Sequence, residues 1–263
     1  MTFTAALGAL ATLVSVAFCL STLERWRANR KPHEWAWTVS MAMFASASAA
    51  YFVAAGLGWG AWDFRAFYLF GAILNVPYLA LGTVYLLGGV PLGDRVRSWL
   101  NLTAAFCAGV VLTAPLLAPL DVEGIPSGRE VFGPGPRIMA AVGSGVGAVV
   151  LIGGALWSAV RLVRARRAMA AVPAPGAADR PASGVTPGRL VVTNVLIAAG
   201  SIVLGTGGTL FGSGDAMQGF GIALAVGVTL LFVGFLVSNP TRPTAAPTLS
   251  PYWREVHDLA TAA

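Results

Sequence analysis

Residues 66–87 read AFYLFGAILNVPYLALGTVYLL. No aspartate, glutamate, lysine or histidine interrupts them, and the stretch is long enough to cross a bilayer as one helix, which takes ~20 predominantly apolar residues. Six more stretches share that character: 3–20, 35–57, 99–117, 138–160, 190–211 and 217–237. Over 263 residues, 56% of the chain is hydrophobic and 11% charged, and the mean hydropathy is +0.74. That is too apolar for a soluble globular domain of ordinary make-up. The expected fold is therefore all-α, a polytopic membrane protein whose seven-transmembrane-helix bundle fills residues 1–237, followed by a tail over 238–263.

Arginine and lysine in short loops stay on the cytoplasmic side, so the cations orient the bundle. Arg25, Arg27, Arg30 and Lys31 follow the first stretch, Arg95 and Arg97 the third, and Arg161, Arg164, Arg166, Arg167, Arg180 and Arg189 the fifth, while Arg242 and Arg254 lie in the tail. Only Arg65, Arg129 and Arg137 fall in the alternate links. The N-terminus is expected outside and the C-terminus inside, in a multi-pass protein of the cell (cytoplasmic) membrane. The first stretch has its basic cluster behind it rather than ahead, the reverse of a cleavable signal peptide, and is expected to persist as a helix.

Seven of the eight tryptophans fall near expected span ends, where an amphipathic ring suits the headgroup level. The net charge of +6 lies in loops beside the membrane, so the expected partners of the cytoplasmic arginine clusters are the lipid bilayer and its anionic headgroups, with no nucleic acid. Cys19 and Cys107 lie inside apolar stretches and read as small packing residues.

The links differ in character. Residues 58–65 and 212–216 are short outer links carrying Asp63 and Asp215, 118–136 is the one sizeable outer segment, and 161–188 begins as an arginine-rich helix end before turning into an Ala, Pro and Gly linker. Spans one to three and five to seven can be overlaid, which suggests a three-plus-one-plus-three helix plan. In the tail, Ser250 before Pro251 signals a helix start. Tyr252, Val256 and Leu259 share one face, so two readings stay open: a short interfacial helix over 250–260 on the inner leaflet, or a disordered tail in which the pattern arises by chance.

The third stretch carries a pattern. Tyr68, Gly71, Asn75, Tyr78, Gly82 and Tyr85 recur at steps of three and four and fall on one helical face. Arg65 extends that face outward, and Pro77 beside it is expected to kink the helix and free a backbone carbonyl. Hydroxyls and an amide at membrane depth need partners, so the face points into the bundle. Two readings stay open: a ligand-binding wall made of Arg65, Tyr68, Asn75, Tyr78 and Tyr85, or an interhelical packing seam. Arg65 is expected to snorkel outward or to pair with Asp63 or Asp215. Gly143 with Gly147, and Ser201 with Gly205, Gly208 and Gly212, read as further close-packing faces.

Elimination narrows the function. The two histidines, His33 and His257, flank the spans, which leaves no transmembrane haem ligation. No span holds the histidine or carboxylate that an intramembrane zinc or serine hydrolase needs. Lys31, the sole lysine, lies in the first inner link, so a covalent retinal is excluded, and a carboxylate relay for a proton pump is missing. The expectation is a protein that is no enzyme, with no catalytic, cofactor-binding or metal-binding residues. His33, Glu34 and Trp35 read as a helix cap at headgroup level.

The run Pro32-His33-Glu34-Trp35-Ala36-Trp37, with residues 68–77 and Leu81-Gly82-Thr83, resembles uncharacterised seven-span proteins of actinobacteria. The resemblance covers mainly spans two and three, and implies a cytoplasmic-membrane home without an activity. The functional expectation is a small-ligand-binding or complex-associated seven-helix protein, working with a membrane-protein partner or as a homo-oligomer. The alternative is a facilitative transporter of an uncharged small solute.

Overall fold

The structure, a computed structural model, describes residues 2–120, 124–170, 187–210 and 216–238. Within them every regular element is helical: α1 Phe3–Asn29, α2 Pro32–Leu57, the short α3 Ala61–Ala66, a π-helical segment Phe67–Leu74, α4 Asn75–Thr113, the single turn α5 Gly128–Val131, α6 Pro134–Ala170, α7 Pro187–Leu210 and α8 Ala216–Ser238. Five helical runs among the described residues are long and apolar enough to cross a membrane, and Val195–Gly205 of α7 is a shorter apolar stretch. Residues 212–215 of the expected link, Asp215 among them, the linker beyond residue 170 up to 186, and the expected tail helix lie outside the described residues.

The join between α1 and α2 takes two residues. Arg30 adopts left-handed backbone (φ 54°) and its N–H returns to the Trp26 carbonyl, and Pro32 then opens α2, where its missing N–H and fixed φ cost nothing. The helices can lie close because Gly8 presents no side chain: a Cβ there would stand 2.9 Å from the Phe52 Cα.

Spans three and four depart from expectation. A polar cytoplasmic link was expected over 88–98, yet Ala61–Thr113 is a single helical run of 53 residues. It is broken only at Gly89, whose φ of 76° and ψ of 177° belong to a region open essentially to glycine. There the run folds back on itself as an antiparallel hairpin. Tyr85 reaches Asp94, Tyr78 reaches Asn101 and Arg65 reaches Ala114, so partners step outward from Gly89 in mirror order. Two helices meet there, and a single non-helical residue is enough to join them because glycine supplies the reversal and Pro91 fixes the start of the returning limb.

Around this hairpin, α2 packs on the first limb and the π-helical segment, α1 packs on α2 and α8, α7 on α8, and α6 on the first limb from the other side. The α6 contact is the seam expected from Gly143 and Gly147: Cβ atoms there would lie 2.7 Å from the Ile73 carbonyl oxygen and 2.8 Å from Val76 Cγ1. The α7 seam differs from expectation. Ser201 is exposed, and a Cβ on Gly205 would meet nothing within 4 Å. Gly200 does the work instead, a Cβ there lying 2.8 Å from the Gly227 carbonyl oxygen of α8. At Ser201 and Gly205 the expected face is one residue out of register, which on a helix is ~100° of rotation, and Gly212 lies outside the described residues.

Candidate functional site

The polar face of the first limb is wedged between α2 and the returning limb, and its residues divide between the two. Gly71, Asn75 and Gly82 meet α2. A Cβ on Gly71 would lie 3.3 Å from that of Ala47, and one on Gly82 would run into the Trp37 indole. Asn75, 9% exposed, accepts from the Ser40 hydroxyl through its side-chain oxygen at 2.6 Å and through its backbone carbonyl at 3.0 Å.

Tyr78 and Tyr85 meet the chain's own return. The Tyr78 hydroxyl donates to Asn101 Oδ1 at 2.7 Å, and the Tyr85 hydroxyl donates to Asp94 Oδ1 at 2.8 Å. Asp94 also pairs with Arg97 at 3.2 Å, whose guanidinium stands 5.8 Å from the centre of the Trp35 ring. These groups therefore form a ladder along the hairpin seam and do not converge on one chamber. Buried polar groups need partners at this depth, and each rung supplies one.

Arg65 is half-buried and makes no ion pair with Asp63, while Asp215, the other expected partner, lies outside the described residues. Its guanidinium donates to the carbonyl oxygens of Val111 and Ala114, the latter at 2.7 Å. Those carbonyls belong to the end of the returning limb, where Pro115 follows and helical partners run out. Arg65 thus caps the helix that its own limb pairs with.

Tyr68 turns toward the outer segment, its ring 4.9 Å from Phe132 and 6.0 Å from Phe64, with Gly128 of α5 lying against its edge. Trp59 donates from its indole nitrogen to the Gly124 carbonyl at 2.9 Å. A chain of rings then runs from Phe132 through Phe64 and Trp59 to Phe67 and Phe220. The described residues of the expected outer loop, 118–120 and 124–136, therefore pack over the end of the hairpin far from Gly89, held by aromatic edges and faces.

Pro77 acts where expected. The helix just before it is π-helical, with the Asn75 N–H bonded to the Phe70 carbonyl, and the Ala72 carbonyl left over receives the Ser144 hydroxyl of α6 at 2.5 Å. Ser144 sits next to Gly143, so the same turn of α6 that permits close approach also satisfies the freed oxygen.

Glu34, read from the sequence as part of a headgroup-level cap, is instead buried at 2% exposure. Arg25 of α1 donates to its Oε1 at 3.2 and 3.3 Å and lies 4.7 Å above the Phe235 ring of α8. Glu34 Oε2 is buried and without a hydrogen-bond partner among the described residues. One carboxylate thus ties neighbouring ends of three helices together, and the chemistry of the site is electrostatic joinery. The chain matches no family model, no curated protein and no solved structure.

Sequence reasoning missed Ser40, Asp94, Asn101, Ser144 and the burial of Glu34. Asn101 and Asp94 carried a signal: folded at Gly88-Gly89-Val90-Pro91, the sequence places them opposite Tyr78 and Tyr85. Glu34 carried one in its nine-residue separation from Arg25 across a two-residue link. Ser40 and Ser144 carried none, since single serines in apolar helices are common.

Proposed function

We propose that this is a non-enzymatic seven-helix protein of the cell membrane, N-terminus outside and C-terminus inside, that works as a partner within a membrane complex. The count of seven takes the two limbs of the Ala61–Thr113 run as separate crossings and α7 as another. The orientation places Arg95, Arg97 and the elbow at Gly89 on the cytoplasmic side with Arg25 and Lys31. The likeness to uncharacterised seven-span proteins of actinobacteria belongs to the same reading.

The observation that carries it is the state of the ladder. Asn75, Tyr78 and Tyr85, the groups best suited to line a ligand cavity, each make an interhelical hydrogen bond, with Ser40, Asn101 and Asp94 respectively. Such bonds hold helices in register, which is what a scaffold needs and a ligand wall does not. The second reading, facilitative transport of an uncharged small solute, rests on the π-helical segment before Pro77, since π segments within helices are frequent at functional sites.

Native mass spectrometry of the protein released from lipid discs separates the two. Co-purification of a second protein or of a discrete homo-oligomer is the expected result. A monomer carrying one constant small mass, lost when Asn75 is replaced by Leu while the fold persists, would reverse the order of the two readings.

A further inference from the structure

Between the elbow of α4 and the inner part of α6 lies an open groove of about 360 Å³. Its walls include Thr83, Leu87 and Leu92 on the hairpin and Val150, Gly153 and Trp157 on α6. Among the described residues no charged side chain lines it. The volume falls within the ~300–1,000 Å³ of small-molecule clefts. The groove follows α6 from Val150 to Trp157, about 10 Å of helix at ~1.5 Å per residue. Gly153 keeps it open, because a Cβ at that position would meet nothing within 4 Å.

Three of the arginines are held by polar partners. Arg25 is held by Glu34, Arg97 by Asp94 and Arg65 by the carbonyls of the returning limb. Arg95 and Arg164 are exposed and have no hydrogen-bond or ion-pair partner among the described residues. Arg95 follows Leu92 by three positions and Arg164 follows Trp157 by seven, spacings that keep each on the face its groove residue occupies. An apolar slot flanked from two helices by unpaired arginines, with a tryptophan at headgroup level beside it, is complementary to an amphiphile with a negative head.

We propose that this groove binds one anionic phospholipid of the inner leaflet, with an acyl chain between the elbow and α6 and the phosphate drawn to Arg95 and Arg164. The proposal rests on the inward placement of the elbow made above. A lipid held there fills the notch between hairpin and α6 and adds to the attachment that α6 makes through its glycine seam and Ser144.

The test uses the full chain in discs of equal parts phosphatidylglycerol and phosphatidylcholine, with native mass spectra recorded as activation strips bulk lipid. Wild type is expected to keep one phosphatidylglycerol after all phosphatidylcholine has left. Gly153→Leu, whose side chain enters open space and leaves the seam intact, is expected to lose it. The double change Arg95→Gln with Arg164→Gln is expected to lower phosphatidylglycerol occupancy by about tenfold or more through loss of two phosphate contacts. Equal retention by wild type and both variants overturns the proposal, as does retention of both lipids alike. Placement of the elbow is checked separately by a membrane-impermeant thiol reagent on Ser98→Cys in intact cells, in a background lacking Cys19 and Cys107. Labelling from outside would sink the orientation, whereas protection together with lipid loss in Gly153→Leu supports both.

Discussion

Tyr78 and Asn101 form one rung of the ladder with no charge involved, so removing a single oxygen isolates what the rung contributes. Interhelical hydrogen bonds in membranes average ≈ 0.6 kcal/mol and reach about 1.7 in double-mutant cycles. The Tyr78→Phe and Asn101→Leu cycle, read by reversible unfolding in mixed micelles, is expected to give a coupling of that order. A coupling indistinguishable from zero would mean that the hydroxyl has another use. Glu34 is the opposite case. Removing Arg25 leaves a buried carboxylate without its cation, and breaking a buried pair from one side costs about 3–5 kcal/mol. Arg25→Gln is therefore expected to lower the midpoint of unfolding far more than Tyr78→Phe, and Arg25→Gln with Glu34→Gln to recover much of the loss. If the double variant is no more stable than the single one, the pair is not the source of the effect. At this scale the sequence was half legible: the face carrying Tyr68, Asn75, Tyr78 and Tyr85 follows from spacing, but the identity of each partner depends on a fold-back that periodicity does not report.

Among the elements, the hairpin turns on one residue. Gly89 at φ 76° and ψ 177° occupies backbone space that a Cβ makes strained, at about 1–3 kcal/mol. Gly89→Ala is expected to destabilise by that amount, whereas Gly109→Ala, in the returning limb where a Cβ would meet nothing within 4 Å, is expected to be neutral or slightly stabilising in the same unfolding assay. Equal effects would show that the elbow is not strained by a side chain. The existence and approximate ends of the long helices were legible because runs of apolar residues near ~20 in length have few alternatives in a membrane protein. The extension of helix up to the elbow was not, since Asp94, Arg95, Arg97 and Ser98 have loop composition, and only the fold-back brings Asp94 to Tyr85 and Arg97 to Trp35. The α7 seam was misplaced for a related reason: glycine is abundant in this chain, 32 residues in all, and several registers offer a small residue at every fourth position.

For the whole molecule, α6 presents the greatest contrast with its surroundings. Only 6% of the apolar window of Pro134–Gly154 is buried, against 50% for Ala61–Thr113, so α6 is the peripheral helix and is attached through Gly143, Ser144, Gly147 and Gly154. That attachment has little slack. A leucine at Gly147 would have to displace Val76 and the backbone leading into Pro77, where a Cβ already lies within 2.8–3.1 Å of its neighbours, and overpacking costs about 1–3 kcal/mol or more. Because α6 touches little else, the strain has an available release: α6 can move away from the hairpin while α1, α2, α4 and α8 keep their contacts. Gly147→Leu is therefore expected to loosen α6 selectively. Limited proteolysis in detergent should cut within the 161–188 segment earlier than in wild type, while hydrogen exchange across α2 and the hairpin stays unchanged. Uniform loss of protection across all helices would instead mean that the seam is part of a single cooperative core, and that α6 cannot serve as a movable outer element around which a complex is built.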